Sequence, residues 1–171
     1  MRLVRSCIVA AASAGVALAA AAAAFSTPAR ADGPQHSPAV WVNPGLYAYH
    51  FERDKGLRDR NFGFGVEVQT SPRYGFLAGS YSNSNGARSH YVGMLWRPLE
   101  WRFASGLRIA GGAALAAIDG YPNYRDGAWF VAPIPMVMIE GKRLGLNLAL
   151  IPTLPDRVDG ALAFQVKLRI W

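Results

Sequence analysis

Few residues of this chain are able to take up a proton or carry an acyl group, and they lie at segment ends. His50 closes a stretch of alternating apolar residues, Ser82-Asn83-Ser84-Asn85-Gly86 closes another, and His90 follows it. An imidazole beside a serine hydroxyl can remove its proton, and a neighbouring amide or N–H can hold the oxyanion of an acyl-transfer intermediate. The same composition also reads as a plain loop, because Ser, Asn and Gly are turn formers, and a lone rim histidine carries no chemistry by itself. There is no Gly-x-Ser-x-Gly, phosphate loop, His-Glu-x-x-His or EF-hand loop. The single cysteine, Cys7, falls in the leader described below, so the sequence points to no metal and no cofactor.

The elements that must hold these residues have the periodicity of strands. Segments at 45–52, 62–69, 74–82, 89–97, 101–115, 128–139, 144–153 and 160–170 alternate with period two between turn clusters. In the last, Leu162, Phe164, Val166, Leu168 and Ile170 oppose Ala161, Ala163, Gln165, Lys167 and Arg169. Successive strand side chains point to opposite faces, so each strand is greasy on one face and small or polar on the other. A soluble sandwich also alternates, but its polar face is usually charged, whereas here many of those positions are Gly or Ala. Aromatic residues near strand ends (Tyr47, Tyr49, Tyr74, Trp96, Trp101, Trp129, Trp171) fit the girdles of an outer-membrane barrel, and short connections alternate with longer polar ones. The expectation is an all-β protein, an eight-stranded antiparallel transmembrane β-barrel over 45–171.

The first residues read as a cleaved signal peptide over 1–31. Arg2 and Arg5 precede an apolar, Ala-rich run from Cys7 to Phe25, and Ala29-Arg30-Ala31 supplies the small residues of a cleavage site. A retained membrane anchor is the competing reading, since the run approaches spanning length. Removing the leader takes Arg2, Arg5 and Arg30 from the 18 basic residues and leaves the 11 acidic ones, so the formal +7 falls by three. That modest charge and the export signal argue against nucleic acid as a partner. Residues 32–44 are expected to form a short periplasmic segment before the barrel. The C-terminal Trp171 suits insertion by outer-membrane assembly machinery, although the apolar phase runs through Ile170. A monomer is expected.

With strand one rising from the periplasm, the inward faces sort by depth. Glu67, Gln69, Arg102, Asn147, Lys167 and Arg169, with Arg108 higher, fill the lower lumen with charge. Gly63, Gly65, Ala110, Gly112, Ala149, Ile151, Ala161 and Ala163 line the upper lumen. Small apolar walls leave room for a hydrocarbon chain in an eight-stranded interior; alternatively, the glycines only permit tight strand curvature. Pro133, Pro135 and Pro152 remove ladder donors from neighbouring segments, which opens either a lateral gate for lipid or a functionless irregular seam.

From about Leu46 to Trp171 the chain resembles the lipid A palmitoyltransferases (PagP type), eight-stranded outer-membrane barrels that move a palmitoyl chain from phospholipid to lipid A. The resemblance rests on Trp96-Arg97-Pro98-Leu99, Pro133-Ile134-Pro135, Leu150-Ile151-Pro152, His50 followed by Asp54-Lys55, and Tyr81-Ser82-Asn83-Ser84. It implies that His50 and Ser84 are catalytic, with Asn83 standing where the family has aspartate, and that phospholipid and lipid A are the partners. It further implies an outer-membrane acyltransferase. A non-enzymatic barrel that binds a lipid or amphiphile is the alternative, and a narrow transporter the third reading.

Overall fold

The computed structural model describes residues 37–155 and 157–171. The leader expected over 1–31 and the cleavage site after Ala31 lie outside the described residues. Eight strands, β1 (Ala39–His50), β2 (Arg60–Gln69), β3 (Tyr74–Ser82), β4 (Arg88–Arg102), β5 (Arg108–Ile118), β6 (Phe130–Glu140), β7 (Leu144–Ile151) and β8 (Ala161–Arg169), form a closed antiparallel barrel in sequence order. Among the described residues no helix is long and apolar enough to cross a membrane.

The expected fifth segment, 101–115, is found at Arg108–Ile118, and two larger differences from expectation each have a proline at a bulge. The barrel begins at Ala39 and not at residue 45, so residues 39–44 of the expected 32–44 segment are strand: Ala39 to Asn43 pair with β2 from Gln69 to Gly65. Pro44 sits at a register shift between Asn43 and Gly45, and Gly45 takes φ 108° there. Likewise Trp96-Arg97-Pro98-Leu99 is no turn. The register of β4 against β5 shifts between Trp96 and Leu99, then the strand runs on to Arg102. A bulge leaves a residue outside the ladder and so tolerates a missing N–H. The true hairpin follows at 103–107, where Phe103 N–H donates to Leu107 O at 2.9 Å and Gly106 has φ 82°.

The outward faces are apolar around the wall. Phe62 and Phe64 on β2, Met94 on β4, Leu115 on β5, Val131 on β6, Leu144 on β7 and Val166 on β8 are all at least half exposed. Trp171 lies just past β8 and is exposed, and its backbone N–H and C=O both meet Val40.

Inside, the barrel is layered. At the end with short hairpins, Lys167 Nζ lies 2.8 and 2.9 Å from the two Glu67 oxygens and 2.7 Å from Glu140 Oε1. Arg108, Arg97 and Gln69 also converge on Glu140, and Asn147 donates to Glu67 at 2.9 Å. Charges this deep persist because each meets opposite charge or a hydrogen-bond partner. Arg102, expected in this layer, is largely exposed and bonds Glu100, while Arg169 donates to Trp171 O at 2.9 Å. Above the charges sits an apolar layer of Leu95, Ala110, Ala114, Met136 and Met138.

Candidate functional site

Above that layer the lumen opens into a cavity of ≈ 410 Å³, within the size range of small-molecule sites. Ala149, Ile151, Ala161 and Ala163 line it, together with Ala48, Ala114, Ala116, Met136 and aromatic rings near the mouth. Gly63, Gly65 and Gly112 do not, which corrects the expectation that they do. A Cβ on Gly65 would stand 2.0 Å from Tyr91 Oη, because that ring lies across β2 and β3. A Cβ on Gly63 would stand 2.1 Å from Ser80 O, and one on Gly112 1.9 Å from Trp96 O, at the β4 bulge. These three glycines allow close approach of backbone and ring, and the cavity walls are made by alanines.

The wall beside the cavity is unpaired between β6 and β7. Their ladder runs from Glu140↔Gly145 to Met136↔Ala149 and stops. Beyond it, Leu150 and Ile151 pair only with β8, and Phe130 to Pro135 only with β5. Pro133 and Pro135 lie on this free stretch of β6, and Pro152 falls one residue past the end of β7. Each lacks an N–H with which to close the gap. Pro133, Pro152 and Ile134 line the cavity, so the seam and the cavity are continuous.

His50 is the last residue of β1. The β1 bulge puts Ala48 and His50 on the inward face, where His50 is 4% exposed and lines the cavity. Its Nδ1 lies 3.2 Å from Oδ1 of Asp59, one residue before β2. Arg53 grips the same carboxylate with Nη1 and Nη2 at 2.9 and 3.0 Å, and Tyr47 Oη donates to it at 3.2 Å. The Arg53 and His50 hydrogen bonds hold the Asp59 carboxyl down to about 2, against an ordinary 3.8, and the hydrogen bond and charge of Asp59 raise Arg53 above its usual value. Asp59 thus stays ionised and fixes the imidazole through Nδ1, leaving Nε2 as the ring nitrogen able to meet a substrate. Sequence reasoning missed Asp59 because it lies nine residues away in an irregular loop, and only the β1–β2 pairing brings it back.

Ser84 and Asn83 lie in the β3–β4 connection. Ser84 lines the cavity, and its Oγ accepts from Asn61 Nδ2 at 3.5 Å, so its proton is free to be donated. It bonds Asn61 and not His50. Asn83 is fully buried and does not line the cavity, which corrects its expected catalytic place. Its Nδ2 donates to Ser89 Oγ at 2.9 Å and Gly120 O at 2.7 Å, and its Oδ1 accepts from Asn85 N and Ala87 N at 3.0 Å each. This side chain shapes the turn and ties it to the β5–β6 loop, the Asx geometry that favours Asn in turns. That loop is held again by Tyr121, whose hydroxyl meets that of Tyr81 at 2.8 Å by the cavity. His90 faces outward on β4, with Nδ1 3.1 Å from Asp119 Oδ1, and takes no part in the cavity.

Among the described residues no three or more His, Cys, Asp or Glu side chains converge to hold a metal ion. The site therefore combines a braced imidazole, a serine hydroxyl and an apolar cavity beside the unpaired stretch of the β6–β7 wall. No protein-family model matches the chain, and no curated protein matches it either.

Proposed function

We propose that the chain is an outer-membrane barrel that moves a fatty acyl chain from a phospholipid to lipid A or a similar lipid acceptor. The observation that carries this reading is the braced His50 beside an apolar cavity that continues into the unpaired β6–β7 seam. The exposed apolar wall supports placement in a bilayer, because a soluble monomer rarely shows so continuous a greasy surface. The long-loop end, with His50 and Ser84, then faces outward, and the charged layer closes the periplasmic end.

On this reading the donor lipid enters at the seam and lays its chain against Ala149, Ile151, Ala161 and Ala163, while its ester stays near the mouth. His50 Nε2 takes the proton of an acceptor hydroxyl, whose oxygen bonds to the acyl carbon. Ser84 donates to the carbonyl oxygen as it gains charge. The bond to the donor glycerol oxygen breaks, and the imidazolium returns its proton to that leaving oxygen. Refolded protein in phospholipid vesicles should move a labelled acyl chain onto added lipid A; wild-type protein that floats with vesicles and moves none refutes the reading.

One observation favours a second reading. Ser84 bonds Asn61 and Asn83 is committed to the turn, so the serine–histidine contact is not built in advance. A barrel that binds a lipid chain without transferring it has the same cavity and seam, and differs in showing lipid uptake without turnover.

A further inference from the structure

The outer face of β2, β3 and β4 carries positive charge at the long-loop end. The ion pairs of that rim join Arg53 to Asp59, Lys55 to Glu52 and Asp159, and His90 to Asp119. Among the described residues, Arg58, Arg60 and Arg88 stand in none of them, and all three are exposed. Arg60 points outward, because Asn61 is buried and Phe62 is 72% exposed; Arg88 does too, because Ser89 is buried. Between them β3 offers only short side chains, Ser82 opposite Arg88, and Ser80 flanked by Phe64 and His90. Arg58 reaches the β3–β4 turn from above, its guanidinium carbon 3.3 Å from where a Gly86 Cβ would stand. The carboxylates beside the patch are engaged elsewhere: Asp59 pairs with Arg53 and His50, and Asp119 with His90.

We infer that this patch docks the phosphorylated headgroup of a lipid A-type saccharolipid on the outer wall over β3. The inference rests on the bilayer reading above and deepens it, by giving the acceptor a place apart from the donor's seam. Strands β2 and β4 are two spacings apart, roughly 10 Å, a gap that two arginines leaning over β3 close around one phosphate. Guanidinium groups bind phosphate through paired, charge-assisted hydrogen bonds, and the Ser80 and Ser82 hydroxyls add donors. Phe62 and Phe64 lie directly below Arg60 on the same face, as an acyl chain beneath a headgroup requires. The patch borders β1 and the Asp59 loop, so a docked acceptor sits on the His50 side of the barrel, while β6 and β7 lie across it.

The test refolds the full barrel in phosphatidylcholine vesicles doped with bisphosphorylated lipid A, phosphate-free lipid A or phosphatidylglycerol, and counts retained lipid per barrel by native mass spectrometry. Bisphosphorylated lipid A should be retained and the other two should not. The double variant Arg60→Gln/Arg88→Gln should weaken retention by roughly tenfold or more, the effect of losing charge-assisted contacts. Arg125→Gln, on the β5–β6 loop, should leave it unchanged. Undiminished retention in the double variant, an equal loss in Arg125→Gln, or equal retention of phosphatidylglycerol overturns the inference. A barrel that does not float with the vesicles defeats the bilayer reading and this inference together. One that floats yet keeps no lipid A defeats this inference alone.

Discussion

Asp59 Oδ1 holds His50 by its Nδ1 at 3.2 Å, and Arg53 Nη1 donates to the same oxygen at 2.9 Å. The three residues come from the end of β1 and the loop that follows it, so the β1–β2 pairing, which sets Tyr47 opposite Arg60, assembles them. A carboxylate on one ring nitrogen fixes the tautomer and stabilises the imidazolium that forms when the other accepts a proton. Asp59→Asn should therefore cut acyl transfer by about 100-fold while leaving the barrel folded. Nitrogen NMR of His50 reads the tautomer directly and should shift in this variant; an unchanged tautomer with unchanged rate would remove Asp59 from the account.

The same carboxylate gives a pH signature. Its folded value is about 2 against an ordinary 3.8. A depressed acid stabilises the folded loop fully above its unfolded value, and that contribution is lost as pH falls from about 3.8 through about 2. Carbon NMR of the Asp59 carboxyl should show a midpoint near 2, and Arg53→Ala should move it up towards 3.8, since Arg53 is the largest cause of the shift.

Asn83 should behave as a structural residue. Asn83→Asp removes the two donors that meet Ser89 Oγ and Gly120 O and aims a carboxylate at a carbonyl. An unsatisfied buried polar group costs about 1–3 kcal/mol, so chemical unfolding should begin at lower denaturant and the β5–β6 loop should loosen. Ser84→Ala leaves the turn intact and should lower only transfer. If Asn83→Asp is as stable as wild type and faster, Asn83 belongs to the reacting set after all.

Much of this was legible in the sequence, and the gaps have physical causes. Alternation placed eight strands, and parity placed His50, Lys167 and Glu67 on the inward face. Pro98 misled, because a proline in a bulge and a proline in a turn carry the same local signal. The bulges then hid the partners that complete the charged layer: Arg97 arrives from within a bulged β4, and Trp41 from a stretch of β1 taken for a tail. Gly65 read as empty space because a sequence does not reveal that Tyr91 lies over it. Asp59 was invisible for a related reason: loops carry no period, and its value comes from a contact.

The charged layer should dominate stability. Glu140 is 2% exposed and meets Lys167, Arg108 and Arg97. Glu140→Ala leaves several cations facing one another, and breaking a buried pair costs about 3–5 kcal/mol. The urea midpoint of the refolded barrel should drop accordingly, with little change in acyl selectivity; an unaltered midpoint would mean that the layer is not what braces this end.

The seam can be closed by chemistry. Pro135 and Leu150 occupy the rung just beyond the last pair, Met136↔Ala149, and the described residues contain no cysteine to interfere. Pro135→Cys with Leu150→Cys should form a disulfide under oxidation. Transfer and lipid uptake should stop on oxidation and return on reduction, with melting unchanged or raised. Function that persists in the cross-linked barrel would move the entry route to the top of the lumen.

The most direct test of the central claim is the mass of lipid A from a Gram-negative host without acyl transfer of its own, expressing either the wild-type chain or His50→Ala, with both verified in the outer membrane. Acyl transfer predicts lipid A heavier by one fatty acyl chain with the wild type and unmodified lipid A with His50→Ala. Unmodified lipid A in both would contradict the claim and leave the barrel as a binder of lipid.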